Sequence, residues 1–422
     1  MKYFIKTFGC QMNKSDSERI ATVLDKMGYI REKDIFKSDL VILNTCSVRE
    51  SAESRVLGLI RNLRQNNRKI KIGVTGCMIH IRPEKLKNNV DFIFNINNLP
   101  KLPKLLPSIS YLPPINGSYF SINPQYQSKY HAFIPIMTGC NNFCTYCVVP
   151  YSRDREKSRP SEDIIREIEI LVKKGYKAVT LLGQNVNSYG KDLQDEIKFP
   201  ELLRKIAKIP GDFWIWFVTS HPKDMSDDLI NVIASEDKIC NYIHLPVQAG
   251  SNEILKAMNR SYTREKYLDL VRKISNKIKD VSLSTDIIVG FPGETRTEFQ
   301  ETVDIFKKAG FDMAYIARYS PRPKTAAFKL KNDVSNLEKK RRDKILVKLL
   351  EKNALKFNKK LIGKTLDVLI ENKSKDCLVG KTKTFKTVKI LSKKPFSQII
   401  GKIVPVKITK IDNFGLEGKI IE

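Results

Sequence analysis

Two alternations of strand and helix patterns, one short and one long, followed by a run of short β segments, predict an α/β chain in three parts. Residues 3–95 carry four strand patterns with helical segments between them. Residues 133–320 carry six longer strand–helix units. After residue 361 only short β patterns remain, separated by Gly and Asn turns. The expected architecture is a small α/β (Rossmann-like) unit at 1–118, a (β/α)6 partial barrel at 126–357 and a small all-β barrel at 358–422.

In the first part, YFIKTFGC (3–10) reads as a strand, and SDSE (15–18) as a capping box opening a helix that runs to about Met27. DLVILNTC (39–46) is a continuous apolar run, the pattern of a parallel strand buried on both faces. A helical period follows at 49–65, then strands at KIGVTGC (71–77) and VDFIFN (90–95). The first three strands each finish in a cysteine: Cys10, Cys46 and Cys77. The Pro- and Ser-rich stretch 99–118 reads as a linker.

Strand-like runs in the second part are FIPIMTG (133–139), AVTLLGQN (178–185), FWIWFVTS (213–220), YIHLPVQ (242–248), SLSTDIIVG (282–290) and MAYIARYS (313–320). Helices are expected around 161–175, 197–208, 224–235, 252–277 and 295–309. Each strand ends in polar or glycine residues, which marks the carboxyl-end face of a parallel barrel as the working face. A basic amphipathic helix spans 336–360. In the tail, LDVLIE, CLVGKT, TVKIL, KIVPVKITKI and LEGKII read as the strands of a small barrel.

Composition narrows the class. With 41% hydrophobic and 29% charged residues, the chain is expected to fold and not to be disordered. No run of about 18 apolar residues occurs, so no membrane span is expected, and the first residues lack a signal-peptide pattern, which points to the cytoplasm. The net charge of +29 repels itself unless a polyanion offsets it, and RNA is the usual candidate. A general bias towards Lys and Asn competes with that reading. It explains less well why basic residues concentrate late: residues 358–422 hold 15 Lys, no Arg and 6 acids, a net of +9.

Cysteine usage carries the chemistry. A reducing compartment makes eight cysteines a poor disulfide framework and favours metal or redox roles for those that cluster. Cys140, Cys144 and Cys147 form C-x3-C-x2-C at the mouth of the first barrel strand. A structural zinc wants four ligands, and the nearest spare one, His131, lies on the far side of the strand. A cubic iron–sulfur cluster held by three thiolates keeps one iron open to a small molecule. Cys10, Cys46 and Cys77 have no local motif, but parallel strands bring their carboxyl ends together, so these thiols can converge. Three unrelated core cysteines are the competing reading. Cys240 and Cys377 belong to neither trio and are expected to be inert, and His244 is expected to pack within the barrel.

The residues GCNNFCTYC at the mouth of a (β/α)6 barrel resemble the radical S-adenosylmethionine (SAM) superfamily. FGCQMN with DSE, NTCSVRE with AESR, PYSR, LLGQNVNSY, TSHP, HLPVQAGS, MNRSYTRE, STDIIVGFPGET and YSPRP resemble its methylthiotransferase family, in the MiaB-type branch that modifies tRNA. The tail is similar to a TRAM domain, an RNA-binding β barrel.

The resemblance implies two 4Fe-4S clusters, one on Cys140, Cys144 and Cys147 that chelates SAM, and an auxiliary one on Cys10, Cys46 and Cys77. One SAM donates a methyl group to a sulfur on the auxiliary cluster. A second yields the radical that removes hydrogen from C2 of an adenine. Tyr146 matches the position beside the cluster and adenine, and Gln184 and Asp286 fall where the superfamily contacts SAM, as do Gln248 and the Gly290–Gly293 turn more weakly.

The implied substrate is N6-(dimethylallyl)adenosine next to the anticodon of tRNA. Threonylcarbamoyladenosine in tRNA, or an aspartate of ribosomal protein S12, is the alternative, and a non-catalytic metal- or cluster-bearing RNA-binding protein the reading from another class. Arg153, Arg155 and Arg159, with Lys381 and Lys383, are the expected tRNA contacts, with SAM's carboxylate a second possibility for the arginines. The reaction also needs an electron donor such as flavodoxin or ferredoxin and a sulfur source, and a monomer is expected. Two positions depart from the family: Ser152–Arg153–Asp154, where a glycine is common, and Phe385, where Asn is usual.

Overall fold

A computed structural model describes every residue except 48–49, 108–116, 195–196, 375–376, 392–397 and 422; the Glu50 side chain also lies outside the description. The described chain forms two compact units. One comprises Met1–Gln127, Met137–Arg159 and Ser320–Lys329; the other comprises Ser128–Ile136, Pro160–Tyr319 and Leu330–Glu422.

The first unit is built on a five-stranded parallel sheet. Its strands are β1 (Lys2–Thr7), β2 (Ile30–Arg31), β3 (Leu40–Thr45), β4 (Lys71–Gly76) and β5 (Phe92–Ile93), in the order β2-β1-β3-β4-β5. Helices α1 (Gln11–Lys26), α2 (Glu50–Asn66), α3 (Met78–Ile81) and α4 (Pro83–Leu86) connect them. Strand β3 is buried at every position, as an apolar run between parallel neighbours should be. Two hydrophobic clusters cover the sheet. One contains Ile20, Leu24 and Leu40, the other Val56, Ile60 and Val74.

Three sequence expectations change here. Helix α1 starts at Gln11 with Cys10 at its N-cap, so SDSE lies inside the helix and not at its start. Its four polar residues are buried, three of them bonded to other side chains and Glu18 accepting from the Gln127 backbone N–H. The stretch read as a linker contributes to the core: Ile96–Leu105 forms 3-10 turns, and Leu99 and Leu102 are fully buried. Its residues 108–116 lie outside the described residues. The two-residue β2 escaped notice because it is too short to show a period.

This unit also contains the loop 137–159. Strands β7 (Met137–Thr138) and β8 (Lys157–Ser158) pair antiparallel at its neck, with helix α5 (Val149–Ser152) inside it. Gly139 at φ +79° makes the closure possible, since a Cβ there would come within 2.0 Å of the Arg155 carbonyl oxygen.

In the second unit, six parallel strands follow chain order: β6 (His131–Pro135), β9 (Ala178–Leu182), β10 (Trp214–Val218), β11 (Tyr242–His244), β12 (Ser282–Val289) and β13 (Met313–Arg318). They form two three-stranded arcs, β10-β9-β6 and β11-β12-β13, and a parallel bridge Ile215↔Ile239 ties β10 to the segment just before β11. Helices α6 (Ser161–Lys173), α7 (Phe199–Ala207), α8 (Asp227–Ser235), α9 (Asn252–Ala257), α10 (Arg264–Lys277), α11 (Arg296–Ala309) and α12 (Asn336–Lys359) connect and cover them. The helix expected over 252–277 is two helices. The chain breaks at Asn259, in the left-handed region at φ +56°, and restarts where Thr263 caps α10 by accepting from Lys266 N–H.

Strands β14 (Thr365–Ser374), β15 (Cys377–Thr382), β16 (Thr387–Leu391), β17 (Ile403–Ile411) and β18 (Gly415–Ile420) close into the expected barrel, ordered β14-β15-β16-β18-β17. It packs against the amino-terminal ends of the parallel strands. Ala178, Trp214 and Tyr242, each the first residue of its strand, share a cluster with Leu369 and Phe385. Phe385 stacks on Tyr242 at 4.9 Å and meets Trp216 edge-on at 5.5 Å. Its φ of +64° explains why Asn, which tolerates that conformation, suits the position, and the ring contacts offset the strain here. With the amino-terminal end occupied, polar groups of the parallel strands gather at the opposite, carboxyl end.

Candidate active site and its two cysteine trios

Cys10, Cys46 and Cys77 each stand where a parallel strand gives way to a loop or helix. Cys10 caps α1, Cys46 follows β3, and Cys77 follows β4. Close backbone approach brings the first two together. A Cβ on Gly9, at φ +105°, would lie 2.7 Å from Cys46 Cβ and 3.1 Å from its Sγ, so only glycine lets the Cys10 turn lie on Cys46. The third is tied in by Cys77 N–H donating to the Thr45 carbonyl at 3.1 Å.

Asn13 links these turns. Its Nδ2 donates to the carbonyls of Phe8 at 2.7 Å and Thr45 at 3.0 Å, and its Oδ1 accepts from Cys10 Sγ at 3.8 Å. The same strand ends hold buried polar atoms with no partner: Asn44 Oδ1, Ser47 Oγ and Thr75 Oγ1. Convergent thiols, a glycine cradle and orphaned polar atoms together fit a bound group at this place.

Cys140, Cys144 and Cys147 lie on the loop 137–159. Cys140 and Cys144 are buried and Cys147 half-buried. Asn142 Nδ2 donates to Cys140 Sγ at 3.4 Å, the kind of donor a cluster thiolate uses. Burial pushes the Cys140 thiol up, so it ionises readily only when a metal replaces the proton. Glu156 and Asn141 brace the loop reciprocally, each backbone N–H donating to the other's side chain at 3.2–3.3 Å. Tyr146 is half-buried here. Among the described residues, no three of His, Cys, Asp or Glu are placed to hold a single metal ion. Both ring nitrogens of His131 are engaged, Nδ1 with Glu371 at 2.9 Å and Nε2 with Thr180 at 2.8 Å.

The three arginines after this trio go to different places. Arg155 is exposed and lies over the Phe143 ring at 4.2 Å, and Arg159 is buried. Arg153 is also buried, and its Nη2 donates to Asp16 Oδ2 at 2.6 Å and Asn13 Oδ1 at 2.9 Å. It therefore reaches the trio of Cys10, Cys46 and Cys77, not the outer surface. Asp16 is held on its other oxygen by Tyr119 Oη at 2.7 Å.

A second buried charge set sits nearby in the sequence motifs. Glu53, from AESR, meets Arg322 Nη1, from YSPRP, at 3.4 Å and Arg82 Nε at 3.9 Å. Asn13, Asp16, Glu53, Arg82 and Arg322 were not among the sequence candidates. For Asn13, Asp16, Glu53 and Arg322 the signal was present in FGCQMN, DSE, AESR and YSPRP, where polar residues occupy positions that a helix face or a strand exit must bury; Arg82 lies in none of these motifs.

In the second unit, Gln184 follows β9 with its Oε1 buried and unpartnered, as are Asn185 Oδ1 and Ser220 Oγ at neighbouring strand ends. Asp286 lies in β12 with Oδ2 3.4 Å from His244 Nε2. His244 Nδ1 is in turn 2.9 Å from Ser284 Oγ, so the histidine is packed and hydrogen-bonded. Gln248 is buried in the left-handed region at φ +71°, and its backbone pairs with Asp286 and Ile288. Gly290 and Gly293 make a tight βα turn: a Cβ on Gly290 would lie 2.3 Å from Lys339 Cγ.

Lys381 Nζ donates to Thr387 Oγ1 at 2.8 Å, and burial holds its pKa below the usual range. Lys383 Nζ donates to the Asp237 carbonyl at 2.8 Å. Cys240 is buried, its thiol pushed up by burial, and Cys377 Sγ donates to the Ser374 carbonyl at 3.2 Å.

Comparison with known proteins agrees with this layout. Residues 134–306 match the radical SAM superfamily, residues 2–95 the uncharacterized protein family UPF0004, and residues 359–421 the TRAM domain. A tRNA-2-methylthio-N(6)-dimethylallyladenosine synthase of Carboxydothermus hydrogenoformans is 46% identical over 99% of this chain and 99% of its own. The synthase of that name from Clostridium botulinum is 46% identical over 100% of this chain and 97% of its own. Among solved structures, a radical SAM methyltransferase of Kitasatospora setae shares the fold at a TM-score of 0.58 and 15% identity, covering 78% of this chain and 77% of that one. No helix among the described residues is long and apolar enough to cross a membrane. The likeness to the synthases is sustained over both chains nearly end to end, and the chain belongs to the tRNA-2-methylthio-N(6)-dimethylallyladenosine synthase family of radical SAM enzymes.

Proposed function

We propose that this enzyme inserts a methylthio group at C2 of N6-(dimethylallyl)adenosine next to the anticodon of tRNA. One observation carries the reading: two cysteine trios occur in one compact unit of a chain 46% identical, over 99% of its length, to a synthase of that name. Cys140, Cys144 and Cys147 would hold one 4Fe-4S cluster, and Cys10, Cys46 and Cys77 the second. When bound, the clusters and SAM would relay the electron, generate the radical and carry the sulfur that functionalising an unactivated aryl C–H bond requires.

The chain's own residues bind and orient. Tyr146 stands beside the SAM-binding trio. Gln184 offers a buried acceptor, and Asp286 a carboxylate braced by His244, for the amino group and ribose of SAM. Arg155 remains exposed for phosphate, whereas Lys381 and Lys383 would have to release their present hydrogen bonds to reach RNA.

The closed β barrel offers a better-placed contact. Lys407 and Lys419 are directly opposed across β17 and β18 and both exposed. Like charges in that register cost stability, and a polyanion offsets the cost. Replacing both by Ala weakens tRNA binding and flattens the dependence of log K on log salt by about 1 per lysine. An unchanged slope in filter-binding titrations would move the RNA contact elsewhere. The reading further places the enzyme in the cytoplasm, as a monomer, supplied by a flavodoxin- or ferredoxin-type donor and a separate sulfur source.

Nucleoside mass spectrometry of tRNA from cells lacking the gene tests the substrate. The methylthio-dimethylallyl nucleoside should disappear and return on complementation. Loss of only the methylthio-threonylcarbamoyl nucleoside would reassign the substrate, and loss of neither would turn attention to ribosomal protein S12.

A further inference from the structure

Arg153 travels on the loop of one trio and ends at the other. The loop 137–159 carries Cys140, Cys144 and Cys147, yet the Arg153 guanidinium is bound by Asn13 and Asp16 of α1. Asn13 Oδ1 is the shared acceptor: it takes both Arg153 Nη2 at 2.9 Å and Cys10 Sγ at 3.8 Å. Asn13 is immobilised by the Phe8 and Thr45 carbonyls, and its main-chain carbonyl accepts from Asn44 Nδ2 at 2.8 Å. The guanidinium therefore has a fixed seat beside the turns that carry Cys10, Cys46 and Cys77.

One end of the guanidinium is satisfied and the other is not. Nη2 holds both hydrogen bonds, while Nη1 is buried without a partner. An unpartnered buried donor on a charged group is costly unless something binds it. Cys77 and Cys10 are among the groups whose charge the guanidinium feels most strongly, after Asp16. Asp16 shares its charge with Tyr119, so it does not cancel the arginine completely. Three thiolates gathered here, those of buried Cys46 and Cys77 and of exposed Cys10, add negative charge that the arginine alone, among these contacts, opposes.

We propose that Arg153 is a positioning residue for the auxiliary cluster, holding that cluster's reduction potential up and offering Nη1–H to the sulfur bound there. This rests on the two-cluster reading above. It gives the radical loop a second task, because one peptide segment holds the SAM-binding thiols and supplies the auxiliary centre's counter-charge. Arginine suits the role better than lysine, since its fork binds Asp16 and Asn13 with one nitrogen and leaves the other free.

The test uses the full chain with Cys140, Cys144 and Cys147 changed to Ala, reconstituted anaerobically, so that only the auxiliary cluster remains. Redox titration followed by electron paramagnetic resonance reads its midpoint. Asp16→Asn uncovers the arginine charge and should raise the midpoint. Adding Arg153→Gln to Asp16→Asn, which avoids a buried unpaired carboxylate, should lower it again. Each shift is expected to reach about tenfold in the reduction equilibrium, 59 mV for one electron. Arg153→Lys should keep most of the potential but alter the spectrum of the sulfur-loaded cluster. A midpoint that does not move across these variants, with iron content unchanged, overturns the proposal. If the triple-Ala chain with native Arg153 binds no iron, the two-cluster reading itself fails, and the proposal with it.

Discussion

Cys77→Ala stops methylthio insertion and leaves SAM cleavage in place. Cys77 lies at the end of β4, where its N–H is anchored to the Thr45 carbonyl, so alanine keeps the backbone turn and removes only the sulfur. Two thiolates of the trio then remain. The loop 137–159 has its own supports in the β7–β8 pairing and the Asn141–Glu156 exchange, neither of which involves Cys77. Iron should fall from about eight to about four per chain, as expected for one cubic cluster lost of two. Anaerobic assays should then show 5′-deoxyadenosine formed at near the original rate with no methylthio nucleoside detected. A variant that still methylthiolates tRNA would sink the auxiliary-cluster assignment. One that loses both products would mean that the two trios do not act separately.

That outcome bears on what could be read in the sequence. The strands were legible because buried parallel strands leave an unambiguous record: LVILNT is apolar through its first four residues and buried at all six. The cysteines were legible because thiols are rare and their placement at strand exits has few other uses. What the sequence obscured was polar residues inside the fold. SDSE looked like a capping box because that pattern is most common at helix starts. In the structure it is a buried polar face whose partners include Arg153 and Gln127, more than a hundred residues away. Arg153 itself sat in a run of charges, and such runs usually face solvent. Only its distant partners, Asp16 and Asn13, reveal that it is buried. Glu53 and Arg322 were obscured for the same reason, since neither carries a local pattern that names the other.

Glu53→Gln is the substitution expected to cost the most stability outside the thiols. The Glu53 side chain is 2% exposed and that of Arg322 6%, so the pair is removed from water. Its contacts, 3.4 Å to Arg322 and 3.9 Å to Arg82, are longer than those of a close bidentate pair, so attraction repays little more than desolvation. Removing the negative charge takes its ion-pair partner from the buried Arg322, at about 3–5 kcal/mol. Arg82, a quarter exposed, can hydrate and suffers less.

Changing both partners, Glu53→Leu with Arg322→Met, should therefore restore most of the loss, because two apolar groups of similar volume carry no stranded charge. Chemical denaturation of the first unfolding transition reads both variants. A double variant no better than Glu53→Gln would show that the charges contribute more than their desolvation costs. The consequence reaches the chemistry as well. Glu53 stands on α2 after Cys46, Arg82 follows Cys77, and Arg322 belongs to the segment whose Ala327 N–H donates to Thr145 of the radical loop at 2.8 Å. Loosening that tie frees together the turns of Cys46 and Cys77, the proposed auxiliary ligands, so Glu53→Gln should also release iron to a chelator faster than the wild-type chain, and the double variant should not.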